Sequence, residues 1–312
     1  MVIDMRVIRF QLDKEILIEN QLTACIGYFD GLHLGHQQLI QRVLEIANKT
    51  NTEPALITFD PDPWEVLHPN SHIAHLTPLA HRLQLAQSYG IKTCIILQFD
   101  EILANISYEA FHSEVIQKLN IQTLVCGFDF HYARKGEGNI DTLMKQTLFD
   151  VSIVNEVSQH HKKISSSSIE KMIEDGDIQQ ANMCLGRNYE LHGVIIKGAQ
   201  QGRKHGFPTA NLGLKEAYII PARGVYIGEV MIKDTKYPAM INIGHNPTYN
   251  YQQNISIEAH ILGFNETIYD ECVVFYFHQF IRKEQKFANT QALLDQLSQD
   301  LKTTRQYFQK GV

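Results

Sequence analysis

The chain has 312 residues, more than one domain usually holds, so two domains are expected. With 44% hydrophobic, 9% aromatic and 20% charged residues it can build packed cores, which excludes an intrinsically disordered chain. A net charge of −6, the absence of a membrane-length apolar run and an N-terminus unlike a signal peptide point to a cytoplasmic protein with no nucleic-acid or membrane partner.

The first half alternates between strand-like and helix-like stretches. Residues 23–29 form a short apolar run ending at Asp30-Gly31, and 37–48 place Leu39, Ile40, Val43, Leu44 and Ala47 at helical spacing. Further strands are expected over 55–59, 93–99 and 123–128, with helices over 79–89 and 108–119 between them. This order predicts a Rossmann-like α/β domain, a parallel sheet with helices on both faces. Ligands would then sit beyond the carboxyl ends of the strands, where Asp30, Asp60 and Asp129 are expected to gather. Cys25, Cys94 and Cys126 lie in apolar runs and read as small core residues; with Cys184 and Cys272 they show no disulfide or zinc spacing.

A helical stretch over 169–185, interrupted at Gly176, leads into a different pattern. Short β-rich runs at 191–196, 225–232, 239–243, 256–261 and 273–280 predict an antiparallel barrel, and 290–309 predicts a terminal helix. The domains are expected at 1–185 and 186–312.

The first chemical motif runs from Gly27 through Tyr28, Phe29, Asp30, Gly31, Leu32, His33, Leu34 and Gly35 to His36. Two imidazoles flanking a glycine at a helix start can converge on one phosphate, to which helix N–H groups add positive potential. Metal binding is the competing use, though two histidines without a third nearby ligand make a weak metal signature. The stretch resembles the HxGH motif of nucleotidylyltransferases, and its longer GxFDGxHxGH form resembles the FMN adenylyltransferase module of bifunctional riboflavin kinase/FAD synthetases. Residues 58–63, 127–130 and 164–167 follow in the family's order. The resemblance implies that His33 and His36 steady ATP phosphates while FMN phosphate attacks the α-phosphorus. It places Gly27, Phe29, Asp30, Gly35, Ser165, Ser166 and Ser167 at the nucleotide and Asp129 at the flavin. Asp62 stands where the family usually has His, Tyr132-Ala133 where it has Phe-Gly, and Glu170 where it has Arg.

The second motif, from Gly193 to Asn211, resembles the riboflavin kinase pattern of glycine loop, GR and GFPTAN. Gly193, Lys197, Gly198, Gly202, Arg203 and Pro208 would surround ATP phosphates, and Thr209 and Asn211 offer hard oxygen ligands for Mg²⁺. The resemblance makes Glu258 the catalytic base toward the riboflavin 5′-hydroxyl and implies a flavin contact for Arg282. An isoalloxazine ring also wants an apolar slot, for which Phe277, Phe280 and Phe287 are candidates. The expected function is a bifunctional enzyme that makes FMN from riboflavin and then FAD from FMN, with ATP in both steps. The alternative, motivated by Glu170 and Asp62, is a kinase whose N-terminal domain is impaired or regulatory.

Overall fold

The computed structural model describes residues 4–68, 73–159, 162–198, 206–245 and 255–310. The chain divides into two compact units, Met1–Ser166 and Ser167–Val312.

In the first unit, β1 (Arg6–Phe10), β2 (Leu22–Ile26), β3 (Glu53–Asp60), β4 (Thr93–Gln98), β5 (Ile121–Gly127) and β6 (Asp150–Val154) form one parallel sheet. Its order is β1-β4-β3-β2-β5-β6. The four central strands are the expected ones; the two edges have no counterpart among the expected runs, because β1 buries only Phe10 and β6 buries no residue fully. Parallel neighbours need crossovers. These are built from α1 (Leu34–Thr50), α2 (Pro63–Leu67), α3 (Leu79–Ser88), α4 (Glu101–Asn105), α5 (Tyr108–Ala110), a π-helical turn at Phe111–Gln117, and α6 (Ile140–Lys145). A two-stranded pair, β7 (Ser158–Gln159) and β8 (Lys162–Lys163), follows. The pleat sends alternate residues to opposite faces. Ala24, Ile26, Ile57 and Ile95 therefore pack with Phe111 and Val115, while Cys25, Leu56, Cys94 and Ile96 pack with Leu39, Ile40 and Val43 of α1. Cys25, Cys94 and Cys126 are buried core residues, and burial pushes the Cys94 thiol up to about 12.

The second unit starts in α7 (Ser166–Asp175) and α8 (Ile178–Leu185), which Gly176 separates at φ 85°. The division at Ser166/Ser167 precedes the boundary at 185/186 read from the sequence, because these helices pack on the barrel. Ala222 N donates to Ile173 O at 3.1 Å, and Asn182 Nδ2 donates to Phe277 O at 2.8 Å. The closed antiparallel barrel consists of β9 (Tyr189–Ile196), β10 (Ala210–Leu214), β11 (Gly224–Ile232), β12 (Thr235–His245), β13 (Ile255–Ile261) and β14 (Cys272–Lys283). Tyr189, Tyr226, Phe275 and Phe277 fill its core, with the Tyr226 and Phe277 rings 5.4 Å apart edge to face. Phe277 thus serves packing. The terminal helix α9 (Thr290–Gln309) matches its expected span, and Asn289 Oδ1 caps it by accepting from Ala292 N at 2.9 Å. No helix among the described residues is long and apolar enough to cross a membrane.

Candidate active sites

In the first unit the chain runs leftward from β2 to β3 and β4, then crosses to β5 on the other side of β2. The carboxyl ends of β2 and β5 therefore flank the point where strand order reverses, the usual ligand position in an open parallel sheet. Residues 27–36 leave β2 there, and Asp129 follows β5.

Phe29 turns the chain with φ 60° and is buried at 1% exposure. A Cβ on Gly27 would lie 3.4 Å from the Phe29 ring. Asp30 is buried, and its carboxylate accepts from Leu76 N at 3.0 Å, Thr77 N at 2.8 Å and Thr77 Oγ1 at 3.0 Å. These bonds satisfy the charge and fasten the turn to residues 76–77. His33 caps α1: its Nδ1 accepts from His36 N at 3.4 Å, and the two rings stack with centroids 3.7 Å apart. A Cβ on Gly35 would come to 3.0 Å from the His33 ring, so glycine lets that ring lie against the helix start. Phe29 meets His36 edge to face at 5.1 Å. The result is two adjacent imidazoles at the positive end of a 17-residue helix, a setting suited to phosphate.

Ser166 Oγ donates to Asp30 O at 2.9 Å, Ser165 is half-buried and Ser167 is exposed. Asp129 pairs with Lys163, and Asp60 pairs with Arg9 at 2.7 Å. Each of the three carboxylates expected at the strand ends has its own donors, which offset its charge where it stands. Sequence reasoning also passed over Arg82, only 1% exposed, whose guanidinium lies 4.2 Å above the Tyr28 ring and donates to Thr58 Oγ1 at 3.1 Å. An arginine in an amphipathic helix carries no local sign of burial.

In the barrel, β13 lies between β10 and β12, with Asn211 and Asn242 both opposite Glu258. Directly paired residues share a face, so the three polar side chains form a row, while Ile257 and Ala259 are buried on the other face. Thr209 Oγ1 donates to Glu258 Oε2 at 2.9 Å. His260 Nδ1 lies 2.9 Å from Pro208 O and holds the segment that enters β10. A Cβ on Gly198 would fall 2.3 Å from Asn211 Nδ2, so the backbone at Gly198 passes directly over that amide. Gly193 is a strand contact, where a Cβ would meet Gly213 O at 2.4 Å. Lys197 is exposed; Gly202 and Arg203 lie outside the described residues. Beside Thr209 opens a cleft of about 430 Å³ lined by Ile195, Pro208, Ile261, Phe264 and Tyr269.

Arg282 does not point its head group into free space. Its Nε and Nη2 lie 2.9 and 2.7 Å from Asp300 Oδ2, and Asp300 is 1% exposed in α9. Asn242 is the neighbour of Glu258 that motif reading left without a role, and only strand pairing reveals it.

The FAD synthetase family model matches residues 16–168, and the riboflavin kinase family model matches residues 185–308. The bifunctional riboflavin kinase/FMN adenylyltransferase of Listeria monocytogenes is 36% identical over 93% of this chain and 93% of its own length. That of Bacillus subtilis is 33% identical over 97% of this chain and 98% of its own. A crystal structure described as a macrolide-efflux protein from Streptococcus pneumoniae covers 96% of this chain and 98% of its own, with TM-score 0.90 and 32% identity.

Proposed function

The chain belongs to the bifunctional riboflavin kinase/FMN adenylyltransferase family, and we propose that residues 1–185 carry the adenylyl transfer and residues 186–312 the kinase reaction. The enzyme phosphorylates riboflavin to FMN and adenylylates FMN to FAD; the kinase-only alternative lacks the support that the matched FAD synthetase domain gives the full reading.

In the kinase reaction, Glu258 takes the proton of the riboflavin 5′-hydroxyl as that oxygen bonds to the γ-phosphorus of ATP and the β–γ bridging bond breaks, releasing ADP. The observation that carries this assignment is the Thr209–Glu258 hydrogen bond beside Asn211. Thr209 Oγ1 and the Asn211 amide oxygen are hard-oxygen donors, which fit Mg²⁺, and the Glu258 carboxylate adds negative charge beside them. When bound, Mg²⁺ would offset the charge of the ATP phosphates. Thr209 and Asn211 orient the phosphates, Gly198 lets the loop approach them, and the cleft beside Thr209 offers an apolar wall to the nucleotide base. Lys197, Gly202 and Arg203 are assigned to phosphate binding by their place in the motif.

In the adenylyl transfer, an FMN phosphate oxygen bonds to the α-phosphorus of ATP and the α–β bridging bond breaks, so pyrophosphate leaves. No proton has to be removed from the nucleophile, and positioning with charge neutralisation supplies most of the acceleration. His33 and His36 hold the departing phosphates at the start of α1, Ser165 adds a hydroxyl, and Ser166 fastens to the Asp30 carbonyl. Asp30 keeps the turn in shape through Thr77. ATP as co-substrate of both reactions suits a cytoplasmic enzyme. Chromatographic separation of riboflavin, FMN and FAD after incubation with Mg-ATP tests the division of labour, using variants in one unit at a time.

A further inference from the structure

The phosphate-facing turn of the first unit is held at two adjoining points. Asp30 accepts from Leu76 N and Thr77 N, and Tyr28 Oη lies 3.3 Å from His75 Nδ1. Asp62, which caps α2 by accepting from Trp64 N at 2.7 Å, places its Oδ2 4.0 Å from that same imidazole nitrogen. Arg82 packs over the Tyr28 ring. His75 is thus gripped on its Nδ1 side by a phenol and a carboxylate, with 16% of its side chain exposed. Among the described residues Nε2 forms no hydrogen bond, so the polar contacts of the ring are made by Nδ1 and leave Nε2 without a protein partner. Its neighbour across the hydrogen bond, Tyr28, directly precedes Phe29, whose ring touches His36.

We propose that His75 is a third imidazole of the adenylyl-transfer site, and that its Nε2–H donates to a phosphate oxygen of ATP or FMN. When Nδ1 accepts from the Tyr28 hydroxyl, the ring N–H lies on Nε2, and Tyr28 and Asp62 hold the ring plane. The inference rests on the placement of the phosphates at the His33–His36 turn. Its rival is a structural role, in which His75 only pins Tyr28 and Asp62 together.

Two isosteres separate these roles. His75→Gln sets an amide N–H near the position of Nε2, whereas His75→Asn sets one near Nδ1. Phosphate binding predicts that the Gln variant keeps most FAD formation from FMN and the Asn variant loses about tenfold or more in kcat/KM, the usual size of one lost charge-assisted bond. A rise in KM for ATP or for FMN identifies which phosphate is held. FMN formation from riboflavin by the same protein reports that the second unit is intact, and emission of Trp64, the one tryptophan in the sequence, with thermal unfolding of the first unit reports that the fold around His75 is kept. Full activity in the Asn variant, equal loss in both, or greater loss in the Gln variant overturns the proposal. His36→Ala tests the reading beneath it: FAD formation that survives this change moves the phosphates away from the turn, whereas its loss beside an unimpaired His75→Asn rejects the role of His75 alone.

Discussion

Thr209 Oγ1 donates to Glu258 Oε2 across 2.9 Å, joining the residue that enters β10 to the middle of β13. The bond sets the hydroxyl and the carboxylate at one point of the barrel, with Asn211 beside them in register. A glutamate that alternates with buried Ile257 and Ala259 would otherwise be an ordinary solvent-side residue. Its partners make it a positioned group.

Glu258→Gln keeps the size and the hydrogen-bonding reach of the side chain while removing its capacity to take a proton. FMN formation should fall by roughly 10²-fold or more in kcat with little change in riboflavin affinity. Steady-state kinetics and a binding titration check the split. Loss of affinity with kcat preserved would make Glu258 a substrate-positioning residue.

Gly198→Ala should impair the kinase although alanine carries no chemistry. Its Cβ would fall 2.3 Å from Asn211 Nδ2 and 2.5 Å from Oδ1, so the amide must move or the loop must lift. The expected outcome is a higher Mg²⁺ requirement for FMN formation, with adenylyl transfer from supplied FMN unchanged. An unaltered Mg²⁺ dependence would remove Asn211 from the metal side.

At the other site, Gly35→Ala sets a methyl group 3.0 Å from the His33 ring and displaces that ring from its stack on His36. FAD formation should fall while FMN formation continues. His36→Ala should have the larger effect on the same step, and parallel progress curves for FMN and FAD check both.

The central strands and the two functional motifs were legible because they are local: a continuous apolar run, or glycines and polar residues at fixed spacing. The edge strands were not, since Arg6–Phe10 and Asp150–Val154 are largely open to solvent and show no strong pattern. β10 was missed because ANLGL is short, is interrupted by Asn and Gly, buries only Leu212 fully and borrows its place from β9 and β13. The burial of Asp30 depends on Thr77, 47 positions away, and that of Asp300 on Arg282; neither pairing leaves a mark in the neighbouring sequence. A carboxylate beside a motif reads equally well as ligand or scaffold until its donors are known.

Arg282 illustrates the difference. Arg282→Ala leaves the Asp300 carboxylate buried with Gln296 as its remaining side-chain donor, and should destabilise the barrel unit by roughly 3 kcal/mol, as breaking a buried pair generally does. Asp300→Asn should cost less, because no charge is stranded. Urea unfolding checks the order. Unchanged stability with weakened riboflavin binding would return Arg282 to the flavin site.

His112 gives the first unit a pH dependence. Its Nε2 lies 2.6 Å from Tyr132 Oη, and burial holds its pKa below the ordinary 6.5, against the opposing charge of Glu109. Below 6.5 the unfolded chain therefore binds more protons at this position than the folded one. The stability gained with the neutral ring is complete above that value and is lost as pH falls through the folded-state value. Thermal unfolding of the first unit should shift downward between about pH 7 and pH 5. The shift should be smaller in His112→Gln, and an equal slope in both proteins would show that other groups govern it.

The division of two reactions between two residue sets is tested most directly by supplying each variant with each substrate. Wild-type protein, Glu258→Gln and His36→Ala are incubated with Mg-ATP and either riboflavin or FMN, and the flavins are resolved over time. The account predicts that wild type converts riboflavin to FMN and then FAD, that Glu258→Gln makes FAD normally from supplied FMN but roughly 10²-fold or more slowly from riboflavin, and that His36→Ala accumulates FMN and makes no FAD. Loss of FAD formation from supplied FMN in Glu258→Gln, or undiminished FAD formation in His36→Ala, would contradict it.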